Sequence, residues 1–337
     1  MKRLRILISL LMISVFILNP YATVCTINQT QSHHKRSTGE LISELKHQGI
    51  SDSSIESLQE QKSFFEEMKN VEEVYVIEQY SKLDLATNKI KLVTEEDELE
   101  YIIQEFNNSS EGKLETNDNG ISPYESITQN LSVYQKQIIT TTKTSKRFDG
   151  KPVYAVGYLI QWLKMPVNRL TDVLSITIDG SMSIITNDST FPISTETKVE
   201  YNYIKTDSSH RVLENITEYN YGTLSSVTTK AGIIAGEWDL PDDSYKETYT
   251  GASIPTPVYH QTNVTDMQAL IVFFTVCKDT SVIGFDAWGE YYHQESLFEI
   301  YPSASAKASS SGLPFPTKKM KYMNEMTHNL SLFTIFK

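Results

Sequence analysis

Apolar and polar positions alternate with two different periods along this chain, and the change of period divides it. Near the front the spacing is helical: Leu41, Ile42 and Leu45 fall on one face, and Gly49 after Gln48 supplies a stop. Ser53 with Glu56 three residues on reads as a capping box opening a second helix, whose stripe runs through Ile55, Leu58, Phe64, Phe65 and Met68. The spacing therefore predicts a small helical hairpin whose apolar stripe docks on its own domain. From Val74 the period falls towards two, with Val74, Val76, Ile90 and Leu92 as strand-like positions, and the acidic run Glu95–Glu100 opens another helix through Phe106.

Beyond residue 126 the pattern is almost wholly that of strands. Candidate strands are 133–147, 152–164, 173–178, 181–186, 197–206, 211–220, 225–238, 268–278, 282–294 and 296–301. Asp149-Gly150 between the first two is a hairpin signal, and Asp179-Gly180 is a second, joining 173–178 to 181–186. Short strands at this spacing, with no long helices between them, predict a mainly β protein. The expected body is an antiparallel β-sandwich or barrel, with a small N-terminal helical, α+β module in front.

The first residues change the picture from fold to destination. Lys2, Arg3 and Arg5 precede an apolar run from Ile6 to Leu18, the layout of a secretory signal peptide and short for a membrane span. The expected organisation is a signal peptide over 1–25, a polar connector over 26–38 and an acidic module over 39–106. A linker over 107–125 and an antiparallel β domain over 126–337 complete it. Cys25 invites a lipoprotein reading, but Ala22-Thr23-Val24 is a poor lipobox, so a secreted or cell-surface product is expected. No second apolar stretch approaches the roughly 20 residues that cross a bilayer, so no integral span is expected in the mature chain. Leu313-Pro314-Phe315-Pro316-Thr317 only approximates a sortase signal, since Pro316 stands where threonine belongs.

Charge and cysteine content narrow the function classes. The net charge is −12. Residues 40–125 carry 21 acidic against 7 basic side chains, or −14, whereas residues 126–337 carry 21 against 18, or −3. Nucleic-acid recognition needs a basic patch, so the acidic part argues against it. Two cysteines exclude a disulfide framework, and Cys277, in the apolar run 269–277, reads as a buried free thiol.

Catalytic patterns are sparse. The chain has no Gly-x-Ser-x-Gly elbow, His-Glu-x-x-His, phosphate loop or Cys-x-x-Cys, and no metal or cofactor is expected. His33-His34 lacks further ligands, and the stretch 115–120 fits only the front half of a calcium loop, with Ser126 where glutamate is needed. The densest polar-aromatic cluster is 286–293. On a strand, Asp286, Trp288, Glu290 and Tyr292 share one face, where rings stack on a sugar and carboxylates accept its hydroxyls. Asp286 and Glu290 lie roughly 13 Å apart on a strand, too far to form a glycosidase pair by themselves. A cross-strand aromatic ladder would explain the same residues, and His293, on the opposite face, reads as a hydrogen-bonded structural residue.

The stretch Trp162-Leu163-Lys164-Met165-Pro166, followed by Arg169 and Thr171-Asp172-Val173, resembles a family of exported proteins from Gram-positive bacteria. The resemblance implies secretion and brings no activity, ligand or catalytic residue with it. The motif itself reads as a strand end pinned by Pro166 and an Arg169–Asp172 contact. The function expected is therefore that of an exported non-enzymatic binding or surface-interaction protein, whose partner is a cell-envelope polymer or another protein. A β-pore-forming protein and a cell-wall polysaccharide hydrolase are the alternatives; the first draws on the Ser/Thr-rich strands of 181–230, the second on Asp286, Glu290 or His293.

Overall fold

The computed structural model describes residues 36–71, 73–84, 89–93, 98–102, 104, 132–162, 165–166, 169–230, 232–251, 255–279, 281–282, 284–296, 321–322 and 330–335. Three helices come first, α1 (Thr38–His47), α2 (Asp52–Glu60) and α3 (Lys62–Lys69). The strands are β1 (Glu73–Asp84), β2 (Lys89–Leu92), β3 (Ser132–Phe148), β4 (Lys151–Trp162), β5 (Thr171–Ile178), β6 (Met182–Ile184), β7 (Ser194–Thr206) and β8 (Val212–Gly222). They continue as β9 (Ser226–Lys230), β10 (Ile233–Asp239), β11 (Ser244–Tyr249), β12 (Pro257–Cys277), β13 (Gly284–Tyr292), β14 (Gln294–Ser296), β15 (Lys321–Tyr322) and β16 (Leu330–Ile335).

The protein is mainly β, with antiparallel sheets that do not close into a barrel. The larger sheet runs β2-β1-β3-β4-β12-β7-β8, with β6 and β11 also paired to β12; the second runs β16-β13-β5-β10-β9. Between them lies the main core. Alternation on β4 sends Tyr154, Val156, Tyr158, Ile160 and Trp162 inward, against Leu174, Ile176 and Ile178 of β5 and Phe285, Ala287 and Tyr291 of β13. The opposite face of the large sheet is covered by the helices. Leu41, Leu45, Leu58, Phe64, Phe65 and Met68 pack there on Ile138, Leu159, Leu270 and Val272. Gly157 makes the close approach possible, because a Cβ on it would lie 2.6 Å from the Phe64 ring.

Several expectations need correction in detail. The capping box is at Ser37 and Glu40, and α2 is capped by Ser51, not Ser53. The apolar stripe through Met68 is split between α2 and α3 at Gln61, whose ψ of 69° is not helical. The small N-terminal helical module is present as α1–α3, and β1, which follows it, pairs with β3 along 12 residues. The first Asp-Gly turn is a two-residue hairpin, with Phe148 opposite Lys151 and positive φ at both Asp149 and Gly150. Asp179-Gly180 is not a hairpin of paired strands. It carries the chain from β5 in one sheet to β6 in the other, and the Asp179 carboxylate accepts from the Ser181 and Asp286 amides at 2.6 and 2.8 Å. The leader, the histidine pair, the calcium-like stretch, the sortase-like stretch and the linker lie outside the described residues.

Candidate functional site

The expected face on β13 forms as alternation requires, on the side of the second sheet away from the main core, but half of it is buried. Asp286 and Trp288 are half-buried, whereas Glu290 and Tyr292 are each 5% exposed, and the Tyr292 hydroxyl donates to Glu290 at 2.7 Å. Burial, then the neighbouring Glu290 charge, raises the Tyr292 pKa; burial, then Asp179, raises that of Asp286. Trp288 sits between Thr177 of β5 and Ser331 of β16, so the face is the middle of a sheet rather than a cleft.

The Trp162–Val173 motif is an internal tie. Arg169 does not meet Asp172: its guanidinium makes a two-pronged contact with Asp243 at 2.7 and 3.0 Å and donates to the Pro166 and Pro241 carbonyls. Asp172 lies on the inner face of β5, fully buried, where it accepts from Tyr291 and faces His293 Nδ1 at 2.9 Å. Trp162 Nε1 donates to the Tyr291 hydroxyl at 2.9 Å. One motif thereby joins the end of β4, the start of β5, the end of β13 and, through Asp243 and the Val264 amide, β12. His293 is accordingly a hydrogen-bonded buried residue.

A second polar cluster underlies α2. Lys136 of β3 is fully buried and lies 3.3 Å from the Ser57 hydroxyl and 3.5 Å from that of Ser53. Burial lowers its pKa to about 8, against the smaller opposing pull of Glu78, Asp266, Glu56 and Glu60. A lysine with a depressed pKa beside serines is the chemistry of a Ser–Lys base and nucleophile. Here both serines and the amine are sealed between helix and sheet, out of reach of substrate. The cluster is instead the polar part of the helix–sheet contact, extended by Ser57 to Gln161, Gln161 to Asp266, and Lys198 and Gln268 to Glu60. Cys277, expected to be buried, is a half-buried free thiol at the end of β12, where burial raises its pKa.

What the molecule presents outward is an arm. The first half of β12 lies beyond the β4 pairing, which begins at Met267, and is flanked by β7 on one side and β11 on the other. With β8 outside β7, this makes a four-stranded sheet, β8-β7-β12-β11, about 20 Å long at the rise of a strand. None of residues 200–206, 212–222, 244–249 or 257–263 is buried. Register places Tyr219, Tyr221, Tyr245, Tyr249 and Tyr259 on one face. On it His210, Tyr259 and Tyr245 form a row of near-parallel rings, with centroids 5.9 and 6.0 Å apart. The tip is held by Asp207, whose carboxylate accepts from the Ser209 and Arg211 amides and pairs with the Arg211 guanidinium. Neither face is a continuous apolar surface, since Glu200 and Glu247 lie with the five tyrosines, and Lys205, Glu214, Glu218 and Lys246 lie on the other side.

Where β8 leaves this sheet for β9, a cleft of about 210 Å³ opens between the base of the arm and β10. Sequence reasoning missed both arm and cleft. Runs 211–220 and 197–206 were legible as strands, but β11 and the front of β12 lack the apolar alternation that marks a strand packed on a core. The density of tyrosine and small polar residues over 244–263 was the available signal. Among the described residues no helix is long and apolar enough to cross a membrane, and no group of three or more His, Cys, Asp or Glu is placed to hold a metal. No family model matches the chain, and no curated protein matches it.

Proposed function

We propose that the protein is an exported, non-enzymatic binding protein that meets its partner through the β8-β7-β12-β11 arm. The observation that carries this reading is the uncovered tyrosine face. Tyr221 is 70% exposed and Tyr245 and Tyr249 are each 64% exposed, on strands that bury nothing. Rings held in a sheet offer large contact area with little side-chain entropy to lose, which is why tyrosine is common in recognition surfaces. Export is supported by the basic and apolar leader, and the lack of a catalytic role by the burial of the two polar clusters with acid–base character. The charges on both faces of the arm weigh against the pore-forming alternative, in which one face of each strand meets lipid.

The test is co-sedimentation of the full chain with purified Gram-positive cell walls, with liposomes alongside. Saturable pelleting with walls alone, lost in Tyr221→Ala/Tyr245→Ala, is the expected result. Pelleting with liposomes as stable oligomers would replace this reading by the pore-forming one, and wall binding untouched by the double substitution would remove the arm from it.

A further inference from the structure

The tyrosine face of the arm carries a cation at one end and lacks one at the other. At the root, β7 and β8 place the Lys198 ammonium 4.9 Å from the centre of the Tyr219 ring, and Glu60 of α2 supplies the carboxylate that pairs with it. The chain thus holds one of its own ammonium groups between an aromatic ring and a carboxylate. Along β11 the ring and the carboxylate recur. Tyr245, Glu247 and Tyr249 alternate onto the tyrosine face, so a tyrosine stands roughly 7 Å to either side of Glu247 along the strand. Tyr259 of β12 lies opposite Glu247 in register. The four residues act on one another: hydrogen bonding to Glu247, then its charge, raises the Tyr249 pKa, and desolvation, then Tyr259 and Glu247, raises that of Tyr245. Among the described residues no cation pairs with Glu247. Of the basic side chains on the arm and at its root, Arg211 pairs with Asp207 and Lys198 with Glu60, while Lys205 and Lys246 lie on the other side of the sheet.

We infer that Glu247, with Tyr245 and Tyr249 beside it, binds a primary ammonium group carried by the partner. Charge complementarity gives the sign: an exposed carboxylate with no cation of its own, on a chain of net charge −12, repels anions and attracts amines. The carboxylate selects the kind of amine. It accepts N–H donors, of which a primary ammonium has three and a quaternary one none, and Lys198 shows the same grouping filled by a primary amine. The rings are in place before any ligand arrives. Tyr245 stacks on Tyr259 at 6.0 Å and 22°, too close to admit a cation between them, which leaves the solvent side of Tyr245 to receive it. In water such a contact is weak, and it strengthens when a partner laid along the arm excludes solvent from it. The site therefore acts as a specificity element within the larger tyrosine surface.

This inference rests on the arm reading and names the group the arm recognises. The full chain is titrated by calorimetry against tetralysine capped at both ends, against its Nε-acetylated form and against its Nε-trimethylated form. Tetralysine is expected to bind, the trimethylated peptide more weakly and the acetylated one not at all. Because an acidic chain attracts any polycation, the deciding comparison is between two variants of equal charge. Glu247→Gln is expected to weaken tetralysine binding by about fivefold or more, whereas Glu218→Gln, on the other side of the arm, leaves it within about twofold of wild type. Tyr249→Leu should weaken it and Tyr249→Phe, which keeps the ring, should restore most of the loss. Equal effects of the two glutamate variants, no tetralysine binding at about 10 mM, or a trimethylated peptide that binds as tightly as tetralysine would each overturn the inference. Cell walls whose amines have been acetylated separate it from the reading beneath it. Pelleting that needs Tyr221 and Tyr245 but ignores both Glu247→Gln and wall acetylation would leave the arm reading standing and this inference gone. Tetralysine binding that needs Glu247, with no pelleting on native walls, would do the reverse.

Discussion

Tyr291 is a useful place to ask what a single buried hydroxyl contributes. It accepts from Trp162 Nε1 and donates to Asp172, while Asp172 faces His293, so four strand-end residues share one polar knot inside an otherwise apolar core. Tyr291→Phe removes the shared oxygen without changing ring packing, and leaves an indole N–H and a carboxylate short of a partner. The expected cost is about 2–4 kcal/mol, since each buried polar group left unsatisfied costs roughly 1–3 kcal/mol; urea denaturation measures it. Lys136 gives a prediction with a sign. Its pKa falls from 10.5 to about 8 on folding, so between those values the unfolded chain binds more protons and stability rises with pH. The full interval of about 2.5 units corresponds to about 3 kcal/mol. Denaturation of wild type and Lys136→Met from pH 7 to 10 should show the wild type gaining on the variant above about pH 8; parallel curves would mean that the amine keeps its ordinary pKa. The raised pKa values of Tyr80, Tyr158, Tyr291 and Tyr292 act in the opposite direction and at higher pH, and they are common to both proteins.

At the scale of elements, α3 and β4 meet where Gly157 faces Phe64. Gly157→Ala keeps the strand conformation but drives a methyl into the ring, 2.6 Å from its nearest atom, with an expected loss of about 1–3 kcal/mol. Adding Phe64→Leu should recover part of that loss, and a double-mutant cycle reads the coupling. Additive losses would show that the helix shifts freely instead. This contact also marks the limit of what the chain's pattern discloses. The stripe of Phe64, Phe65 and Met68 announces a helix that must bury one face, and Val153, Ala155 and Gly157 against Tyr154, Val156 and Tyr158 announce a strand with two different sides. Neither says that they belong together, because Gly157 reads only as a weak strand residue until its neighbour is known. For the same reason β1 was legible as a strand but not as a neighbour of β3, and Asp179-Gly180 as a turn but not as a crossing between sheets. Local chemistry dictates turns, caps and faces. Pairing at long range is settled by which surfaces fill one another.

Across the whole molecule, β12 belongs to two environments. From Met267 to Val276 it is the central strand of the large sheet, hydrogen-bonded to β4 and covered on both faces by the main core and the helical layer. From Pro257 to Asn263 it runs in the arm, paired with β7 and β11 but burying no side chain. The bulge between Val264 and Asp266, where the register with β7 shifts, separates the two halves. Local opening costs free energy in proportion to the buried contacts it breaks, and the arm has few to break. The same strand should therefore show two rates in amide hydrogen exchange: slow, near the limit of global unfolding, over 267–276, and much faster over 257–263 despite hydrogen bonds on both sides. Tyr245→Ala/Tyr249→Ala should leave global stability within about 0.5 kcal/mol, as substitutions away from packed features usually do. If 257–263 exchanged as slowly as 267–276, something would have to be covering the arm in solution, and the tyrosine face would be a surface already occupied rather than one held ready for a partner.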